Sequence, residues 1–345
     1  MKYSYQPDRK TYDGMRVASL HRYAVKGLSG DVVSAMRINR EDGTFEDDRR
    51  FALLYATSGD RFDENRPSWL HKENFLCAFT APELLASLDT EYRIQSPDGG
   101  REDARDSAGS RLLTVWDRKS GRSSPPLLGP IDLSCPSGRQ ETSRFFTQLC
   151  GKEVRCVVAN NDASNRKEGN AVNRLTSSPH THQFGNTSSG VKNNKGDTRT
   201  VHIVNQNTVA QFSDAVYGGS TDAQGKKALT ATRFRPNIVV DHLEPWAEFD
   251  LIGKTIELMV ANEDAHDAQG RYPLRFRVVS RTVRCAGVGV DPLCPELGVL
   301  DIPSLLLKHF PQHGPYLGVY AVVEHYDRFC GGAISVGDTF RVVDD

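Results

Sequence analysis

The residues best suited to chemistry lie in three separate segments of the chain. Residues 281–292, RTVRCAGVGVDP, place a single cysteine, Cys285, directly after an arginine. Residues 233–241, RFRPNIVVD, carry two arginines two positions apart at the start of an apolar strand, and residues 23–30, YAVKGLSG, carry Lys26 beside a glycine turn. A thiolate is a soft metal ligand, and arginine and lysine side chains bind phosphate. Together the three segments favour a metal held through an anionic organic cofactor.

Each of these features also has a purely structural interpretation. Free cysteine is among the most buried residue types, so Cys285 taken alone favours a core thiol over a metal ligand. The adjacent Arg284 favours the ligand, because a nearby cation favours the thiolate, which is the form that binds metal. Arg49 and Arg235, each taken singly, favour surface ion pairs.

Other glycine- and histidine-containing motifs do not support a nucleotide or metal site. Gly287 and Gly289 lack the third glycine and the following helix of a dinucleotide loop. Residues 219–227, GSTDAQGKK, separate their glycines by five residues instead of the four of a phosphate loop, and they end in lysine where that loop has Ser or Thr. His180 and His182 have no third ligand nearby, so they predict a solvated loop.

Composition narrows the class of protein. The chain has 345 residues, 38% hydrophobic and 25% charged, which is ordinary usage for about two globular domains. A formal net charge of −1 argues against a general nucleic-acid-binding protein, so an anion site must be local. The seven cysteines are odd in number and contain no Cys-x-x-Cys pair, which predicts neither a disulfide framework nor a zinc finger and favours a reducing compartment.

The sequence also bears on location. It contains no stretch of about 18 apolar residues and no apolar run at its start that resembles a signal peptide, so we expect no membrane-spanning helix. Asp8 and Asp13 interrupt the basic residues at the start of the chain, which argues against a transit peptide. A cytoplasmic location is therefore expected, with a mitochondrial one as the alternative.

Short strands outnumber helices in the sequence pattern. The first half predicts strands at residues 16–23, 31–38, 50–56 and 153–159, a short helix running through Leu88 from a capping box at residues 80–83, and a helix ending at Gly151. The second half predicts a helix capped by Asn207, a helix beginning at Asp301, and strands at residues 200–205, 237–241, 254–260, 274–279, 317–323, 333–336 and 339–343. This pattern favours a closed or nearly closed β-barrel in the second half, with helices at its rim.

The composition divides the chain into two β-rich domains. Residues 161–198 are rich in Asn, Ser, Gly and Lys, so they predict either a polar linker or a loop that covers a pocket. Residues 96–111 are similarly polar and predict an exposed insertion. We therefore expect an N-terminal β-rich domain at residues 15–160 and a second domain at residues 199–343, in a fold that is mainly β with some α.

The order of the motifs resembles a known family. RFRPNIVV, followed by Arg-Cys and Val-Asp-Pro and then by LGVYAVV and ISVGDTFRVV, resembles the MOSC domain, the module named after the C-terminal part of molybdenum cofactor sulfurase. RVASLHRYAVKGLSG and DDRRFALL resemble the β-rich domain that precedes MOSC in the mitochondrial amidoxime reducing component and its bacterial relatives. The resemblance covers residues 15–343 and implies a MOSC β-barrel with short helices at its rim.

The resemblance also implies a set of site residues. It makes Cys285 the protein ligand of molybdenum. It implies contacts to the pterin and phosphate of the molybdenum cofactor from Lys26, Gly27, Arg49, Thr198, Arg199, Arg235, Asn237, Arg284 and Tyr320. Asp291, just beyond the cysteine, is a candidate for proton handling, with a turn residue before proline as the alternative. The chain departs from the family at Gly27, where serine is common, at Arg199, where a polar residue is usual, and at Val288 and Gly289, where two threonines are expected.

Two functions follow from this resemblance. It implies a molybdenum-dependent oxidoreductase that reduces N-oxygenated small molecules such as amidoximes, hydroxylamines or N-oxides. Because the sequence has no flavin, haem or nicotinamide motif, such an enzyme would need an external electron-donor protein. The alternative is a binding protein that carries the molybdenum cofactor or cysteine-derived sulfur without turnover. Pyridoxal phosphate is disfavoured as a cofactor, because the chain is too short to include the pyridoxal-phosphate domain of the full-length sulfurase.

Overall fold

The computed structural model describes residues 12, 14–38, 43–62, 70–95, 109–158, 192–193, 196–197, 200–218, 228–259, 273–293, 295, 298–325 and 333–343. The strands in these residues are β1 (Met15–Arg22), β2 (Asp31–Val33), β3 (Ala35–Arg37), β4 (Phe51–Tyr55), β5 (Leu88–Gln95), β6 (Ser110–Asp117), β7 (Leu128–Asp132), β8 (Val154–Val158), β9 (Lys192–Asn193), β10 (Gly196–Asp197), β11 (Val201–Asn205), β12 (Ile238–Asp241), β13 (Thr255–Met259), β14 (Arg275–Val283), β15 (Tyr316–Glu324), β16 (Ala333–Ser335) and β17 (Thr339–Val343). The α-helices there are α1 (Pro82–Ala86), α2 (Pro136–Cys150), α3 (Gln206–Tyr217) and α4 (Ile302–His309). The protein is therefore mainly β with some α, as the sequence predicts.

Seven strands close into a barrel. Around the barrel the order is β1, β17, β13, β14, β15, β11, β12 and back to β1. Neighbouring strands are antiparallel, except that β11 and β12 run parallel, with Ile203 opposite Ile238. Apolar side chains fill the core, where the rings of Phe276 and Phe340 meet edge to face with centroids 5.6 Å apart. The barrel predicted for the second half of the chain is confirmed.

The first strand of the chain completes this barrel. β1 pairs with β12 on one side and with β17 on the other, and Leu20 lies opposite Ile238. The composition-based division assigns residues 15–160 to the first domain, whereas in the structure this strand shares the core of the second half. The pairing brings residues 23–30, which follow β1, against the barrel.

The rest of the N-terminal half forms a smaller unit. β5, β6 and β7 make an antiparallel sheet, and β4 pairs with β8. These strands and α2 enclose a second core that includes Phe51, Leu53, Tyr92, Val115 and Phe146. Residues 96–108 of the predicted exposed insertion lie outside the described residues, and β6 begins at Ser110. Most of residues 161–198 also lie outside them, including both histidines of that segment; β9 and β10 form a short hairpin near its end.

Two predicted helix boundaries are confirmed. α2 ends at Gly151, whose φ of 67° is left-handed and suits glycine. α4 begins after Asp301, whose carboxylate accepts a hydrogen bond from the Ser304 N–H at 3.2 Å. No helix in the part of the chain that the structure describes is long and apolar enough to cross a membrane.

Two other predicted helices are present, but their predicted N-caps are wrong. Thr80 donates its hydroxyl to the Phe75 carbonyl at 2.7 Å instead of capping α1, and Leu88 begins β5 instead of continuing the helix. The N-cap of α3 is Asn205, whose side-chain oxygen accepts from the Asn207 N–H at 3.0 Å. Both differences arise because short polar side chains bond to nearby backbone groups in turns as well as in caps.

Candidate functional site

A pocket lies between the barrel and the smaller unit. Its cavity volume is about 20 Å³, and the space reaches about 370 Å³ when the open solvent at its mouth is included. Side chains of α1 form an apolar part of its wall. The three segments that the sequence singles out all contribute to it: Gly27 and Ser29, then Arg233 and Arg235, then Gly287, Val290 and Pro292. A mostly apolar pocket with a few fixed polar groups is the usual form of a small-molecule site.

Three cations meet beside this pocket. We call Lys26, Arg49 and Arg235 the cationic cluster. The guanidinium carbons of Arg235 and Arg49 lie 4.3 and 5.3 Å from the centroid of the Tyr23 ring. Arg49 is ion-paired with Asp48, whereas Arg235 forms no ion pair with a carboxylate within the described residues. The charge of Arg235 is therefore available to a ligand.

Desolvation and mutual repulsion destabilise the positive charges of the cationic cluster. Burial, with the nearby charges of Arg49 and Arg235, lowers the pKa of Lys26 to about 8. Burial also lowers the pKa of Arg235 to about 10. A bound anion would offset both effects, because an opposite charge nearby favours the protonated form of each group. The cluster is suited to hold a phosphate.

The hydroxyl of Tyr23 also favours an anionic ligand. Tyr23 is buried, and its Oη has no hydrogen-bond partner within the described residues. Buried polar groups are almost always hydrogen-bonded, so an unpaired one is a candidate for a ligand contact. Burial raises the pKa of Tyr23, so its hydroxyl stays protonated and can donate to an anion. The residues present therefore fit an anionic ligand.

Glycines allow the turn that carries Lys26 to pack closely. Gly27 has a φ of 93°, and a Cβ at this position would lie 2.6 Å from the Cα of Cys77. A Cβ at Gly30 would lie 2.5 Å from the ring of Tyr23. Only glycine fits either position without a shift of its neighbours. The departure from serine at Gly27 thus has a packing reason in this chain.

Asn237 connects the cationic cluster to the barrel. It is buried, and its Oδ1 accepts from the His202 N–H at 3.2 Å and lies 3.5 Å from Nη1 of Arg49. Its Nδ2 donates to the His21 carbonyl at 3.4 Å. These bonds within the protein favour a role in positioning Arg49.

Arg284, next to Cys285, is buried and bonded to the barrel. Its Nε donates to the Leu317 carbonyl at 2.8 Å, and its Nη1 donates to the Phe234 carbonyl at 3.2 Å. Its Nη2 lies 2.6 Å from Nε2 of His202 and donates to it. That bond requires a neutral imidazole, and burial lowers the pKa of His202 well below its usual value. Arg284 therefore anchors the segment that leads into Cys285.

Tyr320 supports this anchor from the neighbouring strand. It lies on β15 opposite His202 of β11, and the two rings have centroids 5.4 Å apart. The Nδ1 of His202 also lies 3.2 Å from the carbonyl of Arg235, so the imidazole joins Arg284 to the cationic cluster. Sequence reasoning missed His202, because one histidine in an apolar strand gives no sign of such distant partners.

Cys285 begins the turn that follows β14. It precedes the 3-10 turn Ala286–Val288, and its side chain is exposed. The other cysteines of the described residues are free thiols that are buried or half-buried: Cys77, Cys135, Cys150 and Cys156. The Sγ of Cys285 lies 3.5 Å from the point where a Cβ on Gly287 would stand, and Gly287 lines the pocket. The alternative of a buried core thiol does not hold for this residue, which is exposed and stands two residues before the pocket-lining Gly287.

Asp291 is fully buried at the end of the same turn. Its carboxylate accepts from Nε of Arg233 at 3.3 Å, from the hydroxyl of Thr230 at 3.1 Å and from the N–H of Leu293 at 2.9 Å. The sequence groups Arg233 with Arg235 as cations able to bind phosphate, whereas the resemblance implies a cofactor contact for Arg235 alone. The structure shows that Arg233 is buried and lines the pocket.

The remaining predicted positions are less informative. Thr198 and Arg199 lie outside the described residues. Val288, one of the two departures near the cysteine, packs in the core of the barrel. The carbonyls of Val288 and Gly289 accept hydrogen bonds from Arg233 at 3.3 and 2.8 Å, so this part of the turn is held by its backbone.

The comparison with known families agrees with this geometry. Residues 180–341 match the family model of the MOSC domain. The chain contains a MOSC domain. MOSC domains are associated with binding of the molybdenum cofactor. The matched residues of this MOSC domain supply six of the seven barrel strands, β11 to β15 and β17, and β1 comes from outside the match. A search of curated proteins found no match for the chain.

Proposed function

We propose that this protein binds the molybdenum cofactor in the pocket and reduces N-oxygenated small molecules, with Cys285 as the protein ligand of molybdenum. The observation that carries the proposal is the convergence of two features on one pocket. One is the turn with an exposed thiol, and the other is the cationic cluster, in which Arg235 has no carboxylate partner within the described residues. Thiolate is the soft donor that the metal needs, and the cluster supplies charge for an anionic cofactor.

In this proposal the cationic cluster holds the phosphate of the cofactor. Hydrogen bonds to charged groups contribute about 1.5 to 3 kcal/mol each, so Lys26 and Arg235 together could fix a phosphate firmly. Tyr23 donates a further hydrogen bond from its buried hydroxyl. The additional contacts that we propose come from Arg49, the backbone of Gly27, and Thr198 and Arg199.

Other predicted residues act by positioning in this proposal. Asn237, Arg284 and Tyr320 link the cationic cluster to the Cys285 turn through His202. For Asp291 we propose control of the turn through Arg233 in place of proton transfer, because its carboxylate is buried and already hydrogen-bonded.

The molybdenum cofactor supplies two-electron redox chemistry when it is bound. The protein binds and orients it: Cys285 presents its sulfur at the edge of the pocket, and Leu85 and Ala86 of α1 keep part of the wall apolar. We propose that electrons arrive from an external donor protein, because the sequence carries no flavin, haem or nicotinamide motif.

Metal and pterin analysis tests this proposal. The chain should purify from a cofactor-competent host with about one molybdenum and one pterin per chain, since the site offers one exposed thiol and one cationic cluster within the described residues. The purified protein should then reduce an amidoxime in the presence of an artificial reductant. Folded protein that repeatedly lacks molybdenum and pterin would refute the proposal.

Cys285→Ser separates the metal ligand from the rest of the site. An exposed side chain contributes little to stability, so the free energy of unfolding should change by less than about 0.5 kcal/mol. Molybdenum content and reductase activity should collapse, because a neutral hydroxyl is a far poorer ligand than a thiolate. Cys150→Ser, in a half-buried position outside the pocket wall, is the matched control and should keep both.

The same experiments distinguish a carrier from an enzyme. A carrier would contain cofactor but reduce no amidoxime, hydroxylamine or N-oxide with any reductant. A protein that still contains molybdenum after Cys285→Ser would show that another group ligates the metal.

A further inference from the structure

Arg233 is fixed at the floor of the Cys285 turn by three hydrogen bonds. Its side chain and that of Asp291 are both fully buried, and its Nε lies 3.3 Å from the Asp291 carboxylate. Its Nη1 donates to the carbonyls of Val288 and Gly289 at 3.3 and 2.8 Å. A guanidinium held by a fork of this kind has little freedom to change direction.

One nitrogen of this guanidinium is left over. Nη2 of Arg233 is buried and has no hydrogen-bond partner within the described residues. Arg233 is also one of the residues that line the pocket. A buried unsatisfied donor is costly and rare, and the cost is greater for a charged group. An acceptor in the pocket would remove that cost.

Arg233 and Arg235 face different parts of the same pocket. Arg235 has a left-handed backbone with a φ of 55°, and its Nη1 donates to the Leu28 carbonyl at 2.8 Å, on the side of the cationic cluster. Arg233 is turned toward residues 288–291, on the side of Cys285. The two arginines therefore offer donors at two separate points of the pocket.

We infer that Nη2 of Arg233 donates a hydrogen bond to an acceptor oxygen of the ligand on the Cys285 side of the pocket, and that Asp291 is the positioning residue that aims it. The inference rests on the proposed function and adds a contact that is separate from the phosphate site. The acceptor oxygen belongs either to the organic part of the cofactor or to the substrate. Either oxygen would accept the same hydrogen bond. Loss of the bond would lower pterin affinity in the first case and raise the KM for substrate in the second.

Arg233→Lys tests the inference. Lysine keeps the charge, but one ammonium group cannot bond to Asp291 and two carbonyls, as the guanidinium of Arg233 does, and also donate to a ligand. The matched control is Arg111→Lys, because Arg111 donates Nε to the buried Asp47 at 3.0 Å and Nη1 to the Gly109 carbonyl at 3.0 Å but is not among the pocket-lining residues. Both variants lose the geometry of a buried arginine–aspartate pair, and only one loses a donor at the pocket.

The measurements are pterin content per folded chain, KM and kcat for amidoxime reduction, and melting temperature. If the acceptor belongs to the cofactor, Arg233→Lys should lower pterin affinity by about tenfold, the effect of one charge-assisted hydrogen bond, while Arg111→Lys leaves it unchanged. If the acceptor belongs to the substrate, pterin content should be retained and KM should rise by about tenfold in Arg233→Lys alone.

If Arg233→Lys does not fold, the double variant Arg233→Met with Asp291→Leu tests the inference instead. Replacing a buried ion pair by apolar residues of similar size is often tolerated, so the double variant should fold and show the same loss. Retained pterin and an unchanged KM in a folded Arg233 variant would overturn the inference and leave the proposed function standing. A wild-type protein without pterin would overturn both.

Discussion

Arg235→Met should leave the ligand-free protein about as stable as before and should weaken cofactor binding. In the ligand-free chain the guanidinium of Arg235 is desolvated without a carboxylate ion pair within the described residues, and this lowers its pKa to about 10 from 12.5. Methionine fills a similar volume and carries no charge, so the substitution removes an unfavourable charge together with the contacts that the charge makes.

The expected change in the free energy of unfolding follows from these opposing effects. A pKa lowered by that amount corresponds to about 3 kcal/mol against the charged form, an upper limit because the residue is half-buried and solvent reduces the effect. The lost bond from Arg235 to the Leu28 carbonyl and the lost contact with the Tyr23 ring contribute about 1 kcal/mol each. The net change in free energy of unfolding should stay within about 1 kcal/mol of zero, and cofactor affinity should fall by about 10- to 100-fold.

Denaturant unfolding of protein from a host without the cofactor measures the stability, and pterin content of protein from a competent host measures the binding. Arg111→Met is the control, since it leaves the buried Asp47 with one cationic partner fewer and should cost about 2 kcal/mol or more while pterin per folded chain is retained. A destabilised Arg235→Met protein with full pterin content would show that Arg235 is structural and that the phosphate site is misplaced.

Three further predictions concern single groups. Tyr23→Phe should raise the free energy of unfolding of the ligand-free chain by about 1 kcal/mol, because it removes a buried hydroxyl without a partner within the described residues. It should also lower the affinity for pterin, and an unchanged affinity would exclude this hydroxyl from the site. The affinity of the ligand-free chain for inorganic phosphate, measured by calorimetry, should weaken above about pH 8 as Lys26 loses its proton. The affinity of Lys26→Arg should not depend on pH in the same range. A wild-type affinity that stays constant across pH 8 would contradict this role of Lys26. Burial raises the pKa of Glu248 to about 7 from 4.5, so the folded state holds that proton more tightly than the unfolded state does. The free energy of unfolding should therefore rise by up to about 3 kcal/mol as the pH falls from about 7 to 4.5. Glu248→Gln should abolish this pH dependence in unfolding experiments, and a dependence that persists in the variant would assign it to another group.

The sequence predicted the barrel well because its strands are short, apolar and separated by clear turn residues. β11, β12, β13 and β15 all fall within one or two residues of the predicted ranges. It did not predict the sheet of β5, β6 and β7. Residues 88–95, LDTEYRIQ, mix polar and apolar side chains, and only Leu88, Thr90 and Tyr92 of β5 are buried, so the apolar pattern there is weak.

The candidate site was predictable only where one segment carried the signal. Gly27 and Arg235 line the pocket, and the turn that begins at Cys285 contributes to its wall. The exposure of the thiol could not be derived, because burial depends on how the chain packs around the turn. The sequence grouped Arg233 and Arg235 together as phosphate-binding cations and could not show that their side chains take different directions, because those directions depend on the left-handed backbone at Arg235.

The roles of Asn237 and Arg284 show the same limit. Both have residue types that suit a pterin or a phosphate, yet in the structure their side chains bond to backbone carbonyls or to His202. Such partners are distant along the chain and become neighbours only when the barrel closes. A residue type indicates which bonds are possible, and the fold decides which of them form.

Closure of the barrel by β1 has a consequence for how the chain is made. Met15 pairs with Phe340, so this ladder joins strands that lie far apart along the chain, and one side of β1 stays unpaired until β17 has left the ribosome. During synthesis the growing chain would therefore expose the edges of β1 and β13 until β17 pairs with both, and unprotected edges are templates for aggregation. A fragment limited to residues 180–341 would instead leave the edges of β12 and β17 open, because it lacks β1. The smallest piece of this protein that can be expected to fold alone is thus larger than the matched residues 180–341 and must include β1.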